Sequence, residues 1–112
     1  MTLIPVEEDE RTIARGFRKA AKFALLKEKE RVVKENARRK ERSAAFFEYF
    51  ETFKPENLYV KDIGLKTWVK LNDLGVSVFR IENADTVDEI RPGDLTLIDA
   101  SNAKQYCTMG HY

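Results

Sequence analysis

Apolar residues fall in short groups along the chain, and their spacing predicts alternating strands and helices. The segment TLIPV (2–6) is apolar and β-branched, with a proline that a sheet edge tolerates, and it predicts an opening strand. SAAFFEYFETF (43–53) begins at Ser43, which is able to cap a helix, and Pro55 stops it. Because its phenylalanines recur at helical spacing, we expect this helix to pack on the core.

A βαβ unit follows. NLYVKDIG predicts a strand ending at Gly64, and LKTWVKLNDLG predicts an amphipathic helix closed by Gly75, with Trp68 packing that helix onto the sheet. VSVFRIE alternates as the second strand. Beyond it, ADTVDEI predicts a short helix in which Thr86 and Glu89 form a capping box. RPGD then predicts a turn, and LTLID a last strand or extended segment.

The segment from 11 to 53 is ambiguous at the local level. It is rich in Ala, Lys, Glu, Arg and Leu, which favour one long helix. Yet KFALL and RVV flank the polar KEKE, as two strands meeting at a turn would. The pattern alone leaves both structures open.

Composition predicts one folded domain. The chain has 112 residues, 43% of them hydrophobic and 11% aromatic, which is typical of a globular protein. A single cysteine excludes an internal disulfide and fits a reducing compartment. No apolar run is long enough for a membrane span, and the acidic start is unlike a targeting peptide. We therefore expect a cytoplasmic protein without a membrane partner.

Charge is segregated along the chain behind a net charge of only +1. Residues 1–10 carry four acids and no base, whereas residues 11–42 carry thirteen Lys and Arg against four Glu, a net of +9. Such a field favours an anionic partner: nucleic acid, an acidic protein or a negatively charged cluster. A solvated surface without a partner is the alternative.

Three motifs, in order, resemble one family. LIPVEED (3–9) has the form of its "hhPV" strand and turn, and GFRKAAKF (16–23) has the length of its "HFGRAxxF" motif. KDIGLKTWVKLNDLGVSVFRIENADTVDEI (61–90) is similar to its strand, its "GIGPRAxxxLKExGIKVY" helix and strand, and its "TVEEA". The chain thus resembles the NifX/NafY-type proteins of the dinitrogenase iron-molybdenum cofactor biosynthesis family.

The resemblance implies a fold. It is a single ribonuclease H-like α/β domain, with a mixed sheet in which a β-hairpin is followed by a βαβ unit and flanking helices. We place the domain at residues 1–104 and a C-terminal tail at 105–112. In this fold the ambiguous segment forms strands near 22–28 and 31–36 rather than one helix.

The resemblance also implies a function. Members bind, store or deliver an iron-sulfur or iron-molybdenum cluster or its precursor during metallocofactor assembly related to nitrogen fixation. Donor and acceptor proteins of that assembly would be the partners. We therefore expect a noncatalytic carrier rather than an enzyme, because no carboxylate spacing marks an acid/base pair and no serine has a local histidine partner.

The chain departs from the family where soft ligands are expected. The family's His is replaced by Gly16 and its Gly by Arg18, and NARRKERS (36–43) contains no soft ligand. Because such clusters are anionic, cationic side chains can hold them. The predicted cluster-binding cations are Arg15, Arg18, Lys19, Arg38 and Arg39.

The only cysteine and the only histidine lie together in the tail. Cys107 and His111 are four residues apart, with Met109 as a weaker soft donor, and they are the predicted metal ligands. Two ligands cannot complete a structural zinc site, but an external cluster, or a homodimer that pairs two tails, could complete the set. The alternative is an incidental pair at a frayed terminus.

A second hypothesis is an interaction module that binds nucleic acid or an acidic protein through segment 11–42. Binding of this kind would weaken steeply with salt. Only Phe17 and Phe23 are available there as stacking residues, fewer than single-strand binders use, which disfavours nucleic acid.

Overall fold

A six-stranded mixed sheet organises the computed structural model, which describes residues 1–108. The strands are β1 (Thr2–Val6), β2 (Lys22–Lys27), β3 (Glu30–Glu35), β4 (Asn57–Val60), β5 (Ser77–Ile81) and β6 (Leu95–Leu97). Their order across the sheet is β3-β2-β1-β4-β5-β6. β1, β4 and β5 run parallel to one another, whereas β2 is antiparallel to β1 and to β3, and β6 is antiparallel to β5.

The ambiguous segment forms the β2–β3 hairpin, not a helix. Phe23 and Leu25 are buried on one face of the sheet and Ala24 on the other, so the strand period of two is satisfied on both faces. Glu28 lies in the turn between β2 and β3 and has a φ of 49°, in the left-handed region. Tertiary burial thus outweighs the helix propensity of the charged residues.

Three helices pack on one face of the sheet: α1 (Ser43–Glu51), α2 (Leu65–Asp73) and α3 (Ala103–Tyr106). Phe46 and Phe50 of α1 are completely buried against this face, as the aromatic stripe predicts. Trp68 of α2 is buried too, and its indole N–H donates to the carbonyl of Ile98 at 3.2 Å. The predicted βαβ unit is confirmed by the parallel pairing of β4 and β5 around α2.

Loops cover part of the opposite face. Ile13, Ala84 and Val87 pack there with Ile4 and Val6 of β1. The second of these loops contains two 3₁₀ helices, Val87–Glu89 and Pro92–Asp94. The predicted capping box before the first of them is confirmed, since the backbone N–H of Thr86 donates to Glu89 Oε1 at 3.0 Å.

Some predicted boundaries differ from the structure. Ser43 is the first residue of α1 and its side chain does not cap the helix, because the capping position falls on Arg42. The strand predicted to reach Gly64 ends at Val60. The predicted division between a domain at residues 1–104 and a tail at 105–112 lies within α3, Ala103–Tyr106, and stays a prediction.

The structure confirms the predicted single α/β domain, with a mixed sheet in which a β-hairpin is followed by a βαβ unit and flanking helices. Among residues 1–108, no helix has both the length and the apolar character required to cross a membrane.

Candidate functional site

The loop after β1 presents cations beside the carboxyl ends of the parallel strands. The N–H of Ala14 donates to the carbonyl of Pro5 at 2.9 Å, and Phe17 is buried against α1. Arg15, which lies between Ala14 and Phe17, is exposed. After Phe17, Arg18 is half-buried and Lys19 is exposed. Crevices at this end of parallel strands are common ligand sites.

A buried asparagine joins this loop to a second basic segment. Asn36, which is 3% exposed, donates from Nδ2 to the carbonyls of Arg18 and Ala20, each at 2.9 Å. The backbone carbonyl of Asn36 accepts a hydrogen bond from the backbone N–H of Arg39 at 3.3 Å, in the turn that follows β3. Asn36 therefore holds residues 18–20 against residues 37–41.

Arg18 has an unusual environment for a cation. Its Nη2 donates to the carbonyl of Glu41 at 3.2 Å, and its guanidinium lies 5.5 Å from the centre of the Phe46 ring. Its Nε is buried without a hydrogen-bond acceptor within the described part of the chain. A partly desolvated guanidinium without a carboxylate partner favours binding of an external anion.

The first turn of α2 faces the same region. Gly64 precedes the helix and has no side chain to cap it. The N–H of Leu65 donates to the carbonyl of Thr108 at 3.0 Å, whereas the N–H groups of Lys66 and Thr67 have no acceptor among residues 1–108. Open amides at the positive end of a helix dipole attract anions.

These parts border an open cleft of about 650 Å³, which we name the α2 cleft. Asp62 is the one acid that lines it, and its carboxylate lies 3.2 Å from the guanidinium of Arg15. The lining residues are Arg15, Gly16, Phe17, Arg18, Lys19, Asp62, Ile63, Gly64, Thr67 and Thr108. The cleft has the cations and backbone donors of an anion site.

A second cleft of about 430 Å³ adjoins the first and shares two of its cations; we name it the turn cleft. Two ion pairs flank it, Arg38 with Glu41 and Arg39 with Glu8, each with a separation of 3.9 Å. Its lining residues are Arg18, Lys19, Arg39, Lys40 and Glu41.

The structure thus brings most of the predicted cations together. Arg15, Arg18 and Lys19 line the α2 cleft, and Arg39 meets two of them around the turn cleft. Arg38 lines neither cleft and instead pairs with Glu41 three residues along the chain.

The two predicted metal ligands are described unequally. Cys107 is 5% exposed and packs in the core, where burial raises the pKa of its thiol and disfavours the thiolate that binds metals. His111 lies outside the described residues. Within residues 1–108 no group of three or more His, Cys, Asp or Glu side chains is placed to hold a metal ion. Metal ligation by Cys107 and His111 stays a prediction.

Sequence reasoning missed three contributors to the site: Asn36, the first-turn amides of α2, and Thr108. Gly64 immediately before a predicted helix was a usable signal, because it leaves the helix without a capping side chain. The contact of Thr108 with Ile63 and Leu65 joins positions more than forty residues apart, and no local pattern encodes it.

No protein-family model matches the chain, and no curated protein sequence does so either. Two solved structures have a similar fold. The crystal structure of PH0822 gives a TM-score of 0.68 at 19% sequence identity, covering 93% of this chain and 97% of that chain. The NMR structure of TM1290 from Thermotoga, provisionally named a NifB protein and placed in the DUF35 family, gives 0.62 at 21% identity. That match covers 79% of this chain and 80% of the other.

At these identities the likeness shows the fold. The chain is a mixed α/β domain of the same architecture as PH0822 and TM1290.

Proposed function

We propose that this protein is a noncatalytic carrier that holds an anionic iron-sulfur or iron-molybdenum cluster, or a precursor of one, in the α2 cleft. One observation carries the proposal: three cations and the open first-turn residue Thr67 of α2 meet at a single cleft. Sulfide-bridged clusters are anionic and accept hydrogen bonds at sulfur, so this donor set suits them. Binding and release of such a cargo require no nucleophile and no proton transfer.

The likeness to TM1290 supports this proposal at a coarser level. The NifB name of that protein connects the shared fold with nitrogen fixation. The finer assignment, a NifX-type carrier working with donor and acceptor proteins of metallocofactor assembly, rests on the sequence motifs and is part of the proposal.

A soft ligand from the tail would complete the site. Thr108 lies on the rim of the α2 cleft, and three residues span at most about 10 Å in an extended chain. His111 is three residues further on, so ligation of a cargo in the cleft is compatible with the length of the chain. The buried thiol of Cys107 would have to leave the core to ligate.

The nucleic-acid form of the alternative is weakened by the positions of its stacking residues. Phe17 and Phe23 are 3% and 0% exposed, and both rings contact other phenylalanines in the core. Neither is available to a base. Several basic side chains of segment 11–42 also form ion pairs within the protein, as Lys22 does with Glu10 and Arg31 with Asp88.

The test is anaerobic incubation with an iron-sulfur or iron-molybdenum cluster donor, followed by visible absorption and metal analysis. We expect stoichiometric cluster, and we expect R15Q/K19Q to weaken binding at least about tenfold through the loss of two charge-assisted contacts. The matched control is K27Q/K29Q, which removes the same charge at the β2–β3 turn, at the opposite end of the sheet. Wild-type protein that retains no metal would refute the carrier function.

The tail is tested in the same assay. H111A should weaken cluster binding and alter the absorption bands, because a direct ligand changes the electronic spectrum of the cluster. C107A should leave the spectrum unchanged if the thiol stays in the core. Identical spectra for H111A and wild type would show that charge alone holds the cargo.

A further inference from the structure

The turn cleft is a cationic surface that the proposed cargo does not occupy. Four cations and one acid line it, and the acid, Glu41, already has Arg38 at 3.9 Å. No carboxylate within residues 1–108 forms an ion pair with Lys19 or Lys40. This surface therefore carries more positive charge than its neighbours balance.

The ion pair at its edge is weak enough to exchange. Arg39 lies 3.9 Å from Glu8, and their side chains are 43% and 73% exposed. Exposed pairs at the limit of contact contribute little to stability, so an incoming carboxylate can replace Glu8 at small cost. The planar guanidinium of Arg39 would donate two hydrogen bonds to that carboxylate in a bidentate arrangement.

The lining of the cleft favours protein carboxylates over nucleic acid. Glu8 and Glu41 stand beside the cations and would repel a continuous phosphate backbone, whereas separate carboxylates can be placed between them. The cleft is also lined without an aromatic side chain on which a base could stack.

The two clefts share a wall. Arg18 and Lys19 line both, so a partner seated in the turn cleft would lie directly beside the cargo in the α2 cleft. Asn36 fixes this wall from beneath through its bonds to the carbonyls of Arg18 and Ala20.

We propose that the turn cleft docks an acidic segment of the protein that donates or receives the cargo. This inference rests on the proposed carrier function, whose partner it specifies. The recognised element is a short run of Asp and Glu residues on that partner, bound by Arg39 and Lys40.

The probe is a fluorescent peptide of alternating Glu and Gly, and its binding is followed by anisotropy at low and at physiological salt. We expect R39Q/K40Q to weaken peptide binding about fivefold, and K27Q/K29Q, which removes the same charge at a distance, by less than about twofold. Cluster loading of K40Q should equal that of wild type, because Lys40 lines the turn cleft and not the α2 cleft and is not one of the predicted cluster-binding cations.

Two results would overturn the docking surface. Equal weakening by both double variants would mean that only net charge matters. Tighter binding of a single-stranded oligothymidylate that depends on the same residues would make the partner a nucleic acid. If R39Q/K40Q weakens peptide binding more than K27Q/K29Q does while wild type retains no cluster, the carrier function is refuted and the docking surface stands. If wild type retains cluster and the two double variants weaken peptide binding equally, only the docking surface is refuted.

Discussion

At the scale of single residues, Asn36 does more than its place in a charged segment suggests. Its buried amide joins a loop and a turn that are about twenty residues apart in sequence. Few residues other than asparagine could do this, because the position needs a short side chain with two donors directed at two carbonyls. Aspartate would place a negative charge against both carbonyl oxygens.

We predict that N36A lowers the free energy of unfolding by about 2 kcal/mol, because it leaves the part-buried carbonyl of Arg18 and the buried carbonyl of Ala20 without donors. Urea unfolding followed by circular dichroism measures the loss. N83A, at an exposed asparagine, is the control and should unfold within about 0.5 kcal/mol of wild type. Equal urea midpoints for both variants would show that the hydrogen bonds of the Asn36 side chain contribute nothing to stability.

Asp9 gives a pH-dependent prediction. Hydrogen bonds from the hydroxyl of Thr12 and from the backbone N–H groups of Arg11 and Thr12 lower the pKa of Asp9 from 3.8 to about 2. A carboxyl group with a lowered pKa stabilises the fold above its ordinary pKa, and this contribution disappears as pH falls through the lowered value.

D9A should therefore melt below wild type at neutral pH, and the difference in Tm should shrink as pH falls from 3.8 to about 2. Calorimetry across this range measures it. D73A removes an exposed carboxylate from α2 and serves as the control for net charge. A Tm difference that is constant down to the lower pH would contradict the assigned hydrogen bonds.

At the scale of elements, α1 contributes three buried phenylalanines to the core on its face of the sheet. Its Phe46 ring lies within 6.2 Å, centre to centre, of the rings of Phe17, Phe23, Phe47 and Phe50. Edge-to-face contacts among buried rings add to the burial of their area. Phe17 lies in the loop after β1, directly before Arg18, so this packing also positions Arg18 relative to the sheet.

We predict that F46A lowers the free energy of unfolding by about 3–5 kcal/mol, since the cavity left among four rings cannot collapse. Chemical denaturation measures the loss. V69A removes apolar volume from a side chain of α2 that is 45% exposed, and it should change stability by less than about 0.5 kcal/mol. A small effect of F46A would mean that α1 does not pack as described.

Elements differed in how well the sequence predicted them. α2 was predicted almost to the residue because its apolar face has a clear helical period and Gly75, at φ of 80°, closes it. The local pattern left the β2–β3 hairpin and a helix both open, because Lys, Glu and Ala favour helix whereas pairing with β1 stabilises the strand. Motif resemblance supplied that information.

At the scale of the whole molecule, the sequence indicated which cations could form a candidate site but not how they are arranged. Charge along the chain indicated the cations, including Arg15, Arg18 and Lys19. Their division between two clefts depends on β1 and β4 ending side by side and on a buried amide that no periodicity marks. Arg38 illustrates the difference, because its sequence neighbours are in the site and its side chain is not.

Thr108 gives the molecule a practical use. Its main chain bonds to Ile63 and Leu65, which places Thr108 in the lining of the α2 cleft. If the proposed carrier function holds, a fluorophore attached just beyond this residue would report binding and release of the proposed cluster by quenching. A bulky purification tag at the same place would obstruct that binding, whereas one at the β2–β3 turn would not.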